Sequence, residues 1–179
     1  MEGEIYSPPL FLPTEVMIDE LRAGLAHHSS LAAKGDGKMR FLAIHVDYFC
    51  SKITQKGRSK LIEPYDDPTT QVDEALVLLT SVEKGDEAAP DVVADRAAEE
   101  IGRLAGNLKV GTVVLHSFAH LFAELSAPDV AVQVMKDVEG RLGARGFTVI
   151  RTPFGYFNTL DIKAKGHPYS RVARIIHPD

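Results

Sequence analysis

The chain has 179 residues, 45% of them hydrophobic and 25% charged, with one cysteine, no tryptophan and a formal net charge of −5. A chain of this length buries about 70% of its extended surface on folding, so its core needs no disulfide or metal staple, and a lone Cys50 permits no intrachain disulfide. These features predict one globular domain, with an appendage at most, in a reducing, cytoplasmic compartment. No run of about 18 apolar residues suggests a membrane span, and Met1-Glu2-Gly3-Glu4 lacks the basic start of a signal peptide.

The charge is unevenly spread. Residues 1–140 hold 13 basic and 23 acidic side chains, net −10, whereas 141–179 hold 7 basic and 2 acidic, net +5, and the two halves sum to −5. An overall acidic chain is a poor wrapper of long duplex nucleic acid. The cationic end reads first as a solvated basic face and, more sharply, as a footprint for a short nucleic-acid end.

In chain order, Ser7, Pro8, Pro9 and Pro13 precede a helical stretch from Thr14-Glu15 to about Ala33, and Lys34–Lys38 is a flexible break. Met39 opens a buried-strand pattern through Tyr48, followed by a second extended piece near Phe49–Thr54 and a polar loop over Pro64–Thr70. Ala75–Val82 is continuous enough for a central strand, and Glu83–Pro90 reads as a surface loop. Val93, Ala97, Ile101, Leu104 and Leu108 recur at helical spacing, and Gly106-Asn107 weakens that helix's end. Val110–His116 is a strand leading into Ser117, a strand-to-helix junction. Val130, Val134, Met135, Val138 and Leu142 then mark a second amphipathic helix ending at Gly143. Phe147–Thr152 is a strand, Pro153–Tyr156 a turn, Thr159–Lys165 an outer strand with one wet face, and Val172–Ile176 a last apolar segment.

Candidate chemistry is sparse. His116, His120 and Glu124 have spacings that suit zinc on one helix face, but His116 ends an extended run, so a metal site is disfavoured and no cofactor is expected. A Ser117/His120 nucleophile-base pair lacks the glycines of a nucleophile elbow, and a helix cap suits Ser117 better. What survives is the position, since a strand end meeting a helix start offers backbone N–H groups to an anion or a developing oxyanion. No phosphate-binding glycine loop is present, and the Asp66-Asp67 and Glu99-Glu100 pairs read as solvated. Pro153–Tyr156 and Lys165–Pro168 read as hairpin ends, though aromatics beside basic residues also suit stacking of an unpaired base.

Six short segments lie in a shared order: Met39–Tyr48, Ser81–Lys84, Phe118–Leu121 with Glu124-Leu125, Gly146-Phe147, Pro153–Tyr156 and Lys165–Pro168. Together they resemble the N-terminal editing domain of archaeal threonyl-tRNA synthetases, over about residues 39–179, leaving 1–38 as an N-terminal extension. The resemblance implies an α/β, D-aminoacyl-tRNA deacylase-like fold: a strand-rich sheet core covered by two or three helices, here with an extra N-terminal helix. It implies a homodimer that hydrolyses serine mistakenly esterified to threonine tRNA, acting on the 3′ end of tRNA(Thr), in company with a separate synthetase catalytic chain. Serine and threonine differ by one methyl, worth only about 1–3 kcal/mol of discrimination, so a second, hydrolytic sieve is warranted.

Carried over by motif, the resemblance implies a pocket built by Ser81 and Val82, by Ser117, Ala119 and His120, and by Phe154, Gly155 and Tyr156. His120 would orient ribose or water, main-chain atoms would hold the aminoacyl group, and the terminal ribose hydroxyl would assist attack of water. Asn158 stands where the family commonly has Lys, Arg171 where it has Glu, and Ser117 where Pro is frequent. The first two departures keep open a non-catalytic tRNA-end binding or dimerising module, and the shared fold keeps open a D-aminoacyl-tRNA deacylase.

Overall fold

A computed structural model describes residues 38–119 and 124–177. The expected N-terminal extension, its helix included, lies outside the described residues, as does His120. The architecture is a seven-stranded mixed sheet with two α-helices on one face. Its spine is β1 (Arg40–Lys56), 17 residues long, which pairs antiparallel on one edge with β3 (Ala75–Ser81) and β2 (Thr69–Val72). On the other edge it pairs with β6 (Tyr156–Ala164) and β7 (Arg171–Ile175). The strands β4 (Thr112–Ser117) and β5 (Thr148–Arg151) extend the sheet in parallel beyond β3. Parallel neighbours need crossovers, and the helices α1 (Pro90–Leu108) and α2 (Pro128–Ala144) supply them.

The alternation of β1 explains why it reads as two pieces. Phe41 and Ala43 face the helices, while Ile44 and Val46 enter a second apolar cluster on the opposite face. An irregularity between Val46 and Tyr48 inserts one residue, the exposed Asp47, and shifts the two-residue period. Phe49 therefore continues the face of Val46 and is fully buried with Val77 and Val114. One bent strand replaces the expected pair of segments. β2 begins where the sequence suggested only loop.

Between β3 and α1 the expected surface loop is instead a 3-10 turn over Lys84–Ala88, and its Asp86 is fully buried. The Asp86 carboxyl accepts the Met39 N–H at 2.9 Å and the Glu83 N–H at 2.7 Å, tying the start of β1 to this turn. Burial pushes that carboxyl up to about 6, despite those two donors. α1 also runs through Gly106-Asn107 to Leu108. It stops because Lys109 takes the left-handed conformation, φ 57°, while the Val110 N–H returns to the Ala105 carbonyl at 3.0 Å. Ser117 closes β4, and a 3-10 turn opens at Ala119 and passes into residues outside the described ones, while the helix α2 starts at Pro128 with Ala127 before it.

Two substitutions test this packing. Phe49→Ala empties a fully enclosed site and is expected to cost about 3–5 kcal/mol in denaturant unfolding. Lys109→Gly relieves a left-handed side-chain clash and is expected to raise stability by about 1 kcal/mol; an unchanged or lowered midpoint would contradict the helix stop described.

Candidate functional site

Because β3 and β4 are parallel with Thr80 opposite Ser117, their carboxyl ends arrive side by side. The Phe118 N–H donates to the Thr80 carbonyl at 2.7 Å, carrying the ladder one residue past Ser117. The returning chain is zipped to the other strand end: the Ser126 N–H donates to the Val82 carbonyl at 3.1 Å and the Lys84 N–H to the Glu124 carbonyl at 2.9 Å. Beyond these ends opens a cavity of about 690 Å³. Ser81 at the end of β3 and Val82 just beyond it line the cavity, as do Ser117 at the end of β4 and Ala119 two residues on, and Ala131 and Met135 from α2.

A further wall is the turn Phe154-Gly155 and the start of β6, with Tyr156, Phe157 and Asn158. This wall is positioned by Glu63, a residue with no motif to announce it. Arg151 grips the Glu63 carboxylate with both terminal nitrogens, Nη2 to Oε1 at 2.9 Å, and the Phe154 N–H adds a bond at 3.1 Å. Burial opposes ionisation of Glu63, but Arg151, the Phe154 N–H and Lys136 outweigh it and hold the carboxyl below the usual glutamate range. The Glu63 main chain takes part too, its N–H donating to the Phe154 carbonyl at 3.1 Å and its carbonyl accepting the Tyr156 hydroxyl at 2.8 Å. Gly155 has φ +95°, and a Cβ there would lie 2.7 Å from the Leu61 carbonyl oxygen. No other residue fits without moving the loop.

The electrostatics of the cavity are mild. Arg58 is the one ionised residue among the described lining, which contains no carboxylate. His116 also lines it, 4% exposed, with Nδ1 2.9 Å from the Thr152 hydroxyl, and burial pushes its pKa down to about 4. The imidazole is neutral at physiological pH. The Ser81 hydroxyl is buried and has no hydrogen-bond partner among the described residues. An unsatisfied buried hydroxyl in a cavity wall is a site ready for a polar ligand.

A family described as the archaea-specific editing domain of threonyl-tRNA synthetase matches residues 39–176. The chain belongs to that family. The threonine–tRNA ligases of Methanopyrus kandleri and Thermococcus kodakarensis are each 40% identical to it, over 141 and 143 residues, 79% of this chain in both cases. That of Methanocaldococcus jannaschii is 40% identical over 138 residues. The matches cover only 22–23% of these relatives, so the chain spans less than a quarter of their length. The curled mixed sheet with its two helices is a D-aminoacyl-tRNA deacylase-like editing fold, and membership of the family carries a proofreading role.

In this editing domain, eight of the residues singled out from sequence, Ser81, Val82, Ser117, Ala119, Phe154, Gly155, Tyr156 and Asn158, border the same cavity. His120 lies outside the described residues. The Asn158 side chain donates to the Tyr156 carbonyl at 3.1 Å, bracing the turn. Arg171, the second departure from the family pattern, opens β7 opposite Ile44 and does not border the cavity. The expected C-terminal cationic footprint is largely neutralised. Arg141 pairs with Asp91 and Asp95, Arg151 with Glu63 and Glu139, and Arg174 with Glu100, while Lys163 and Lys165 pair with Asp47. Among the described residues, no group of three or more His, Cys, Asp or Glu side chains could hold a metal, and no helix is long and apolar enough to cross a membrane.

The neutral His116 has a measurable consequence. Its folded pKa is depressed, so its contribution to stability is complete above about 6.5 and lost as pH falls toward 4, amounting to roughly 3 kcal/mol. Asp86, with a raised pKa, contributes in the opposite sense between about 4 and 6, so the comparison must be with a variant. His116→Asn keeps an amide where Nδ1 meets Thr152. The gap in unfolding free energy between wild type and this variant is expected to narrow as pH falls from 7 to 4; parallel curves would show that His116 is not held neutral.

Proposed function

We propose that this domain is a proofreading hydrolase that removes serine esterified to tRNA(Thr). The observation that carries the reading is the convergence of the β3 and β4 ends with the Phe154–Tyr156 turn on one cavity, whose wall holds a buried hydroxyl with no partner among the described residues and no described carboxylate. Such a wall offers main-chain atoms and neutral dipoles rather than a general base. The chemistry then falls to the substrate: water adds to the ester carbonyl, the ester C–O bond breaks, and the departing ribose oxygen takes the proton, with the neighbouring ribose hydroxyl orienting the water. Preorganised N–H donors stabilise the oxyanion as it forms.

In this scheme Ser81, Val82, Ser117 and Ala119 hold the aminoacyl group, Phe154, Gly155 and Tyr156 border the terminal adenosine, and His120 orients ribose or water. Asn158 stabilises the turn through the Tyr156 carbonyl and lends an amide to the same end of the site. The editing domain occupies residues 39–179, residues 1–38 are an extension, and the active form is a cytoplasmic homodimer working beside a synthetase catalytic chain.

The decisive experiment is single-turnover deacylation of seryl- and threonyl-tRNA(Thr) by the whole chain. Rapid loss of seryl but not threonyl ester is expected, with a fall of at least about tenfold in His120→Ala. Replacing the terminal 2′-hydroxyl of the tRNA by hydrogen is expected to abolish turnover. No hydrolysis by the natural chain but recovery in Asn158→Lys would establish the non-catalytic alternative, and loss of D-aminoacyl esters alone would establish the D-aminoacyl-tRNA deacylase.

A further inference from the structure

The segment leaving β1 carries Lys56, Arg58 and Lys60 at alternate positions, and all three side chains are exposed. Gly57, Arg58 and Ser59 border the cavity itself. Among the described residues none of the three cations makes an ion pair, whereas Arg141, Arg151, Lys163, Lys165 and Arg174 all do. The strap presenting them is fixed. The Gly57 N–H donates to the Gly155 carbonyl at 2.8 Å, a Cβ on Gly57 would meet that oxygen at 2.7 Å, and the Leu61 N–H donates to the Ser59 hydroxyl at 3.2 Å. Aromatic rings flank it. Phe157 is 42% exposed and borders the cavity, while Tyr65, 43% exposed, stands edge-on to Tyr156 at 5.2 Å.

Cations flanked by exposed rings beside a partly open pocket are the recognition chemistry of an unpaired nucleic-acid strand, phosphates on the cations and bases on the rings. We infer that Lys56, Arg58 and Lys60 form a phosphate-binding rim that grips the single-stranded 3′ end of the RNA just before its last nucleotide enters the cavity. The cationic footprint sits on this strap and not on the neutralised C-terminal segment. This deepens the hydrolase reading and rests on it for the identity of the RNA.

The test is equilibrium binding of uncharged tRNA(Thr) to the full chain at several salt concentrations, which needs no turnover. For a single strand each lost phosphate contact removes about 0.7 from the slope of log affinity against log salt. Replacing Lys56, Arg58 and Lys60 together by Gln is expected to flatten the slope by about 2 and weaken binding about tenfold or more at low salt. A second triple variant, Arg96→Gln, Arg103→Gln and Lys109→Gln on and after α1, removes the same charge elsewhere and is expected to bind as wild type does. Equal weakening in both variants, or no change in the first, overturns the rim. Loss of hydrolysis with these binding differences intact would sink the hydrolase reading and leave the rim standing.

Discussion

β1 pairs along both edges, with β3 and β2 on one side and β6 and β7 on the other, and the rest of the molecule depends on that double pairing. Its register with β3 determines where β3 ends, and β4 copies that end because it runs parallel beside it. Its register with β6 brings Tyr156 opposite Lys56, so the turn before β6 and the strap after β1 meet at the same place. The cavity is thus a by-product of strand lengths. The helices contribute the lid of apolar contacts on the far face and, through Ala131 and Met135, part of one wall.

The Glu63–Arg151 pair does for the loops what β1 does for the strands. An ion pair this deeply enclosed survives only with its hydrogen bonds complete, and here the Phe154 N–H, Glu139 and Lys136 complete them. Removing either partner leaves a desolvated charge beside the turn. Neutral groups do the rest. Tyr156 spends its hydroxyl on the Glu63 carbonyl and Asn158 donates to the Tyr156 carbonyl, and both residues border the cavity.

Long periodic segments are legible in the residues alone: α1 and α2 from their apolar spacing, β3 from its unbroken run, β6 from alternation. The differences between expectation and fold have physical causes. A one-residue bulge at Asp47 breaks the two-residue period and disguises β1 as two strands. Lys84–Ala88 looks solvated because a buried Asp86, satisfied by backbone donors 47 and 3 residues away in sequence, cannot be told from an exposed one by its letter. Lys109 ends α1 in a conformation usually kept for glycine, so no glycine marks the stop. At the site, the cavity-bordering residues are recognisable only by motif resemblance, since small and apolar residues gathered from distant strand ends have almost no compositional signal. Glu63 is invisible in the sequence because its partners lie 88 and 91 positions away. The C-terminal charge excess is hard to interpret from sequence for a related reason: five of its seven cations, Arg141, Arg151, Lys163, Lys165 and Arg174, answer acids on other elements.

The contact between Gly57 and Gly155 has a consequence for redesign. Main chain is hydrogen-bonded to main chain there, at 2.8 Å and with no side chain to shorten, so the wall at that point cannot be opened by trimming a residue. Side chains that could be shortened, Leu125, Met135 and Leu160 among them, lie elsewhere on the lining. Any widening of the cavity therefore falls to side chains elsewhere on its lining, not to this backbone contact.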